Sequence, residues 1–201
     1  MCEKKKLISI YENPFILFNK WFLEAKKHEP SHPNAMNVAT VGKNLRPSSR
    51  MVLLKSYDNS GFIFYTNTNS RKGITINENS KIALNFYWKS LSKQIRIEGI
   101  AKIVSNIIAD EYFQTRPINS QISAWASNQS KKLKDRKELI SRFNKYTEKF
   151  KKNKISRPDY WSGYKVMPKL IEFWQEMPFR LHDRVEFKKK GNSWIGTKLF
   201  P

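Results

Sequence analysis

Apolar residues recur at Phe15, Phe18, Trp21, Phe22 and Ala25, a spacing of three and four that predicts a helix over Asn13–Lys27 with Pro14 at its start. His28-Glu29-Pro30-Ser31-His32-Pro33 then breaks it, because proline ends helical hydrogen bonding. Beyond this point the period shortens to two. Strands are predicted at Asn37–Val41, Arg50–Ser56, Phe62–Thr66, Lys81–Trp88 and Gln94–Val104, with Asp58-Asn59-Ser60-Gly61 as a turn and Gly99 as a bulge or bend. Ser70 is placed to cap a short helix running through Glu78, and Ser105 to cap another that ends at Arg116-Pro117. Helical spacing returns at Ser120–Ser127 and at Lys134–Lys152, where Leu139, Phe143, Tyr146 and Phe150 form one stripe. Strands at Val185–Lys188 and Trp194–Leu199 close the chain.

Six or so short strands with tight turns and few intervening helices argue for an antiparallel barrel, not a parallel alternating sheet. The expected class is α+β and mainly β, as a single domain over residues 1–201. Its parts are an N-terminal helix (13–27), main barrel strands (34–104), a helical segment (105–153) and C-terminal strands (163–201).

Composition changes this picture in three places. The single cysteine, Cys2, excludes an internal disulfide and fits a reducing compartment. Met1–Tyr11 lacks the apolar core of a signal peptide, and no stretch nears the roughly 20 apolar residues of a membrane span, so a cytoplasmic protein with no membrane partner is expected. The net charge of +21 has two readings: a polyanion-binding footprint, or the lysine-rich surface that an AT-rich genome imposes. The chain carries 28 Lys against 10 Arg, whereas readers of base edges lean on arginine, so no nucleic-acid partner is expected. The basic helix 134–152 suits an acidic or membrane partner, or simply packing on its own domain; packing is the expectation.

Residues with chemical potential fall into clusters. In Arg180-Leu181-His182-Asp183-Arg184, an extended backbone puts Arg180, His182 and Arg184 on one face and Leu181 and Asp183 on the other. That face reads either as an anion site with a titratable imidazole or as a solvated edge strand. Arg50 and Lys55 are five apart, so on one strand they point to opposite faces and serve two different anions, or an anion and a surface. Tyr65-Thr66-Asn67-Thr68-Asn69-Ser70-Arg71-Lys72 runs from a strand into a helix start. It reads either as a phosphate cradle of free N–H groups, hydroxyls and cations or as a polar loop with a capped helix. Arg116 with Ser120, and Gln129-Ser130-Lys131-Lys132, complete the set. Pro30 denies His28 and His32 the helical register of a metal pair, so no metal is expected. No Walker A sequence, dinucleotide fingerprint or nucleophile elbow is present, which excludes the corresponding nucleotide-binding and hydrolase classes.

Taken in order, Ser49-Arg50-Met51-Val52-Leu53-Leu54-Lys55, Phe64-Tyr65-Thr66-Asn67, Ser70-Arg71-Lys72, Gln94, Arg116-Pro117, Ser120-Gln121-Ile122, Ala124-Trp125, Gln129-Ser130, Glu172-Phe173-Trp174-Gln175 and Arg180-Leu181-His182-Asp183-Arg184 resemble the pyridoxine/pyridoxamine 5′-phosphate oxidase family. The resemblance runs from about Asn13 to Pro201. It implies an FMN-binding split β-barrel acting as a homodimer, with FMN between subunits. It also implies oxidation of pyridoxine or pyridoxamine 5′-phosphate to pyridoxal 5′-phosphate, with O2 as acceptor and H2O2 as product. Implied cofactor-binding residues are Arg50, Met51, Val52, Leu53, Leu54, Lys55, Tyr65, Thr66, Arg71, Lys72, Gln94, Gln129, Ser130, Trp174 and Arg184, some of them from the partner subunit. Implied substrate-phosphate residues are Lys55, Tyr112, Arg116 and Ser120, while Arg180, Leu181 and His182 lie at the pyridine ring. Arg180 and His182 are implied as the catalytic pair, acting as orienting groups.

Two phosphate monoesters in one cleft need several cations and hydroxyls, which the clusters supply. Tyr112 and Arg116, four apart, share one face of a helix. Members of this family often carry an N-terminal basic, tyrosine-containing lid; Lys4–Lys6 and Tyr11 stand at that end here. The competing class is a split-barrel flavin-binding reductase with another substrate, against which the phosphate set and the Arg180/His182 pair argue.

Overall fold

The structure, a computed structural model, describes residues 6–201. Asn13 opens the first helix, α1 (Pro14–His28), by accepting from the backbone N–H groups of Phe15 at 2.9 Å and Ile16 at 3.4 Å. Phe15, Phe18, Trp21, Phe22 and Ala25 are all buried, as their spacing predicts. Phe18 is the hub of the core, with the rings of Tyr57, Phe62, Phe86 and Phe22 packed around it at 4.8–5.6 Å.

Nine strands form one antiparallel sheet among the described residues: β1 (Ala35–Val41), β2 (Pro47–Leu53), β3 (Ser56–Asp58), β4 (Gly61–Asn67), β5 (Lys81–Trp88), β6 (Lys93–Ile103), β7 (Trp161–Gln175), β8 (Asp183–Lys190) and β9 (Ser193–Leu199). They run in the order β2-β1-β5-β6-β7-β4-β3, with β8 beside β7 and β9 beyond it. The expected antiparallel α+β class is the one observed. Helix α2 (Arg71–Glu78) follows β4, capped by Ser70 Oγ, which accepts from the Gly73 N–H. Helices α3 (Asn106–Gln114), α4 (Ile118–Ala126) and α5 (Arg136–Phe150) lie between β6 and β7 in the chain. Of the expected α5 stripe, Phe143, Tyr146 and Phe150 join a second small core around Phe113, Ile122, Ile155 and Trp161, whereas Leu139 is not part of it.

Three elements differ from the sequence reading. Arg50–Ser56 is not one strand, because the chain changes partners inside it. The Leu54 N–H donates to Asn34 O and the Lys55 N–H to Ile63 O, both at 2.8 Å, so the segment passes from β1 to β4. Second, β7 is the longest strand, yet no individual strand is predicted over most of it. Trp161–Tyr164 is buried on both faces, which erases the period of two, and Pro168 argues against a central strand. The β6–β7 register shifts between Glu98 and Gly99, and Gly99 stands opposite Pro168, which has no N–H to give. Third, Pro178–Arg180 is a tight turn, with Phe179 and Arg180 at φ 58° and 62°, and the strand begins only at Asp183. At the N-terminus, Lys4 and Lys5 lie outside the described residues, and Tyr11 is 92% exposed.

Candidate active site

β2 is an end strand, paired with β1 on one side only. Its other side opens on a cavity of about 700 Å³ walled by β4, α3, α4 and the start of β7. Arg50, Lys55, Lys72 and Arg116 line it, and among the described residues no aspartate or glutamate does. Four cations facing one hollow without a carboxylate make a strong anion site.

Arg50 is held by neutral oxygens: Nη1 donates to Thr40 Oγ1 and Nη2 to Ser48 Oγ, both at 2.8 Å. Lys72, in the first turn of α2, donates through Nζ to Gln129 Oε1 at 2.7 Å, Thr66 Oγ1 at 2.9 Å and Ser70 Oγ at 3.3 Å. Burial, and then the charge of Arg50, pushes the Lys72 ammonium down to about 8. Burial, and then Arg71, lowers Arg50 as well. Neither cation has an acidic partner among the described residues, so an incoming anion relieves both. Lys55 shares this cavity with Arg50, contrary to the opposite-face expectation, because the strand breaks at Leu54. Met51, Val52 and Leu53 line it too, whereas Leu54 is buried in the core.

The other end of the cavity is aromatic and cationic. Tyr65 and Tyr112 stack at 3.9 Å, 13° from parallel, and Trp161 lies nearly parallel to both. Tyr112 belongs to α3, while Arg116 sits past the end of that helix, where its N–H donates to Phe113 O at 3.2 Å. The two still line one cavity with Ser120, although not by sharing a helix face. The Arg116 guanidinium lies over the Trp161 ring at 4.6 Å, its pKa is lowered by burial, and its buried Nη1 has no hydrogen-bond partner among the described residues. An unsatisfied buried guanidinium N–H at a cavity wall is a donor waiting for an acceptor. Arg71 and Ser130 line a neighbouring hollow of about 340 Å³ with Arg46 and Ser48 instead.

The remaining predicted residues are elsewhere in the chain. Gln94, Trp174, Arg180, Leu181, His182 and Arg184 do not line the large cavity. Gln94, Trp174 and Arg184 are register partners across β6, β7 and β8, so they form one row on the sheet's outer face, while Ile95, Phe173 and Val185 point to the core. The His182 ring packs on Trp174 at 4.7 Å, and its Nδ1 accepts from the Met177 N–H at 3.3 Å. Arg184 Nε and Nη2 both donate to Glu172 Oε1, at 3.0 and 2.8 Å, and Nη1 donates to Phe200 O at 2.7 Å. The left-handed turn at Phe179 and Arg180 breaks the single-face alternation expected for Arg180, His182 and Arg184. Asp183 is buried, accepting from the Ile8 N–H at 2.6 Å and pairing with Lys198, so it ties the N-terminal segment to β8 and β9.

Sequence reasoning passed over two residues that matter here. Glu172, buried between Arg96 and Arg184, gave no signal beyond its place beside Phe173-Trp174. Trp161 reads in sequence as an ordinary core aromatic.

Residues 22–150 match the family described as pyridoxamine 5′-phosphate oxidase, and residues 161–201 match the pyridoxine 5′-phosphate oxidase C-terminal dimerisation region. A curated relative from Caulobacter vibrioides, pyridoxine/pyridoxamine 5′-phosphate oxidase, is 50% identical over 190 residues, which cover 94% of this chain and 86% of the relative. Among solved structures, PhzG from Burkholderia lata 383, in complex with tetrahydrophenazine-1-carboxylic acid, superposes with a TM-score of 0.91 at 30% identity and covers 98% of both chains. A pyridoxamine 5′-phosphate oxidase-related, FMN-binding protein from Nostoc punctiforme shares the fold, with a TM-score of 0.76 at 14% identity over 96% of this chain and 100% of that one.

Proposed function

The chain belongs to the pyridoxamine 5′-phosphate oxidase family, and from that premise we propose that it is an FMN-dependent oxidase of pyridoxine and pyridoxamine 5′-phosphates that forms pyridoxal 5′-phosphate. The observation that carries this reading is the cavity lined by four cations and, among the described residues, by no carboxylate. FMN and the substrate each bring a phosphate monoester with close to two negative charges. A cavity of about 700 Å³ lies within the usual range for small-molecule sites.

The residues present fit FMN. Arg50 and Lys72, both lowered in pKa and lacking acidic partners, are suited to its phosphate, with Thr66, Gln129, Arg71 and Ser130 around them. The free side of end strand β2 offers backbone hydrogen-bonding groups at Met51–Leu53 to a planar heterocycle. When bound, FMN would supply the two-electron acceptor chemistry for oxidation at the substrate's 4′ carbon, with O2 as final acceptor and H2O2 as product.

Lys55, Tyr112, Arg116 and Ser120 hold the substrate phosphate, Arg116 through the Nη1 that has no partner among the described residues. The chain carries a C-terminal dimerisation region, and a homodimer resolves the separation of the two residue groups. On this reading the partner subunit's Gln94, Trp174 and Arg184 meet the flavin, and the partner subunit's Arg180, Leu181 and His182 cover the pyridine ring. Three of the five N–H donors of Arg184 are taken by Glu172 and Phe200, which orients the guanidinium and leaves two without a partner among the described residues. Arg180 and His182 orient the reacting carbon, and positioning of this kind removes much of a barrier. No helix of the described residues is long and apolar enough to cross a membrane.

The test is aerobic turnover of FMN-loaded protein with each phosphate. Pyridoxal 5′-phosphate and H2O2 should appear in equal amounts, and absence of turnover with both compounds overturns the proposal.

A further inference from the structure

We propose that Trp161 is a positioning residue that sets the orientation of Arg116 and thereby the enzyme's preference for a phosphorylated substrate; this rests on the assignment of Arg116 to the substrate phosphate. Arginines that bind anions are commonly oriented by a carboxylate. Arg116 pairs with none among the described residues: its guanidinium lies against two ring faces, 4.6 Å from the Trp161 centroid and 5.5 Å from that of Phe113. Ring faces hold a cation by their quadrupole without neutralising it, so the full charge and the free Nη1 remain for a ligand. A carboxylate in the same place competes with phosphate for those donors.

Trp161 is itself fixed from three sides. Its indole lies 10° from parallel to Tyr65 at 5.2 Å and meets Phe113 edge-on at 5.1 Å. Its backbone carbonyl accepts from Arg157 Nη1 at 2.7 Å, while Arg157 Nε pairs with Asp110 at 2.6 Å and Nη2 donates to Asn106 Oδ1 at 3.0 Å. Asp110 and Asn106 belong to α3, the helix that carries Tyr112. Arg157 therefore locks the start of β7 to α3, and one rigid unit presents Tyr112, Trp161 and, through stacking, Arg116. Tyr65, Tyr112 and Trp161 stack within 13° of parallel, which holds the indole plane over which the Arg116 guanidinium lies.

The experiment uses FMN-loaded protein. Trp161→Leu removes the ring face and should raise KM for pyridoxamine 5′-phosphate about tenfold, with a much smaller effect on kcat. Trp161→Phe, which restores a face, should recover most of the loss. In an Arg116→Ala background, adding Trp161→Leu should change KM no further. An unchanged KM, or the same tenfold loss without Arg116, overturns the proposal. Calorimetric binding of inorganic phosphate to the same proteins reads the pair without turnover. If wild-type protein ignores pyridoxamine 5′-phosphate yet Trp161→Leu weakens phosphate binding, the substrate reading fails and the positioning role stands; if phosphate binding is unchanged, the positioning role fails. Trp161→Met, similar in bulk but with no ring face, reads the same pair if the leucine variant does not fold.

Discussion

Replacing Lys72 with methionine separates a cofactor ligand from a structural lysine. The three partners of Nζ (Thr66, Ser70 and Gln129) are neutral oxygens, so methionine leaves no opposite charge stranded. Loss of one charge-assisted bond to phosphate costs about 1.5–3 kcal/mol, or roughly a 10- to 150-fold weaker FMN complex. The pH dependence gives the same residue a second signature. Lys72 in the apoprotein is pushed down to about 8 by burial and by Arg50, while the FMN phosphate is already dianionic above pH ~7. As pH rises through about 8 the apoprotein loses this cation, so wild-type FMN affinity should fall, and the methionine variant should lack that fall. Stability moves in the opposite sense. Between about 8 and the ordinary 10.5 the unfolded chain holds the proton that the folded apoprotein has released, so this group makes the apoprotein more stable as pH rises across that window. At pH 7 the variant should therefore unfold at or above the wild-type temperature. Quenching of FMN fluorescence on titration with apoprotein measures affinity, and thermal unfolding measures stability. FMN affinity within twofold of wild type, or a pH slope that survives the substitution, refutes the assignment.

Further outcomes follow from the same geometry. Arg180→Ala should leave FMN bound, read from flavin absorbance, and raise KM for pyridoxamine 5′-phosphate at least tenfold by loss of a charge-assisted contact; loss of the cofactor contradicts its assignment to substrate. Glu172→Ala leaves Arg96 and Arg184 without their buried carboxylate and should cost near the lower end of about 3–5 kcal/mol, since Arg96 reaches solvent; a calorimetric melting temperature lower by about 6–12 °C checks it. Gly163→Ala puts a Cβ 2.8 Å from the Tyr65 ring and 3.0 Å from Val104, so it should destabilise by about 1–3 kcal/mol in a denaturant titration and displace Tyr65 from Tyr112.

Local signals carried much of the fold into view. Asn13-Pro14 and Ser70 cap helices where side-chain chemistry says they should, and Gly99 is a bulge because Pro168 faces it. The illegible parts are those where tertiary context overrides period. β7 is hidden because burial on both faces removes alternation. Arg50–Ser56 reads as one strand because a change of hydrogen-bonding partner at Leu54 leaves no mark on hydrophobic pattern. The site was legible as residue types and not as places. Alternation put Arg50 and Lys55 apart, and the structure brings them together. It put Arg180, His182 and Arg184 on one face, and two left-handed residues undo that. Trp161 carries no sequence signal, since a buried indole beside tyrosines is what any core contains.

The central claim is that a cavity from one subunit and the Arg180–Arg184 run from the other make one site. Mixing two variants tests it: Arg116→Ala, damaged in the cavity, and Arg180→Ala, damaged in the run. Random pairing of equal amounts gives half heterodimers, each with one intact site, so the mixture should regain about a quarter of wild-type turnover with pyridoxamine 5′-phosphate. Activity no higher than the average of the two separate variants contradicts the account.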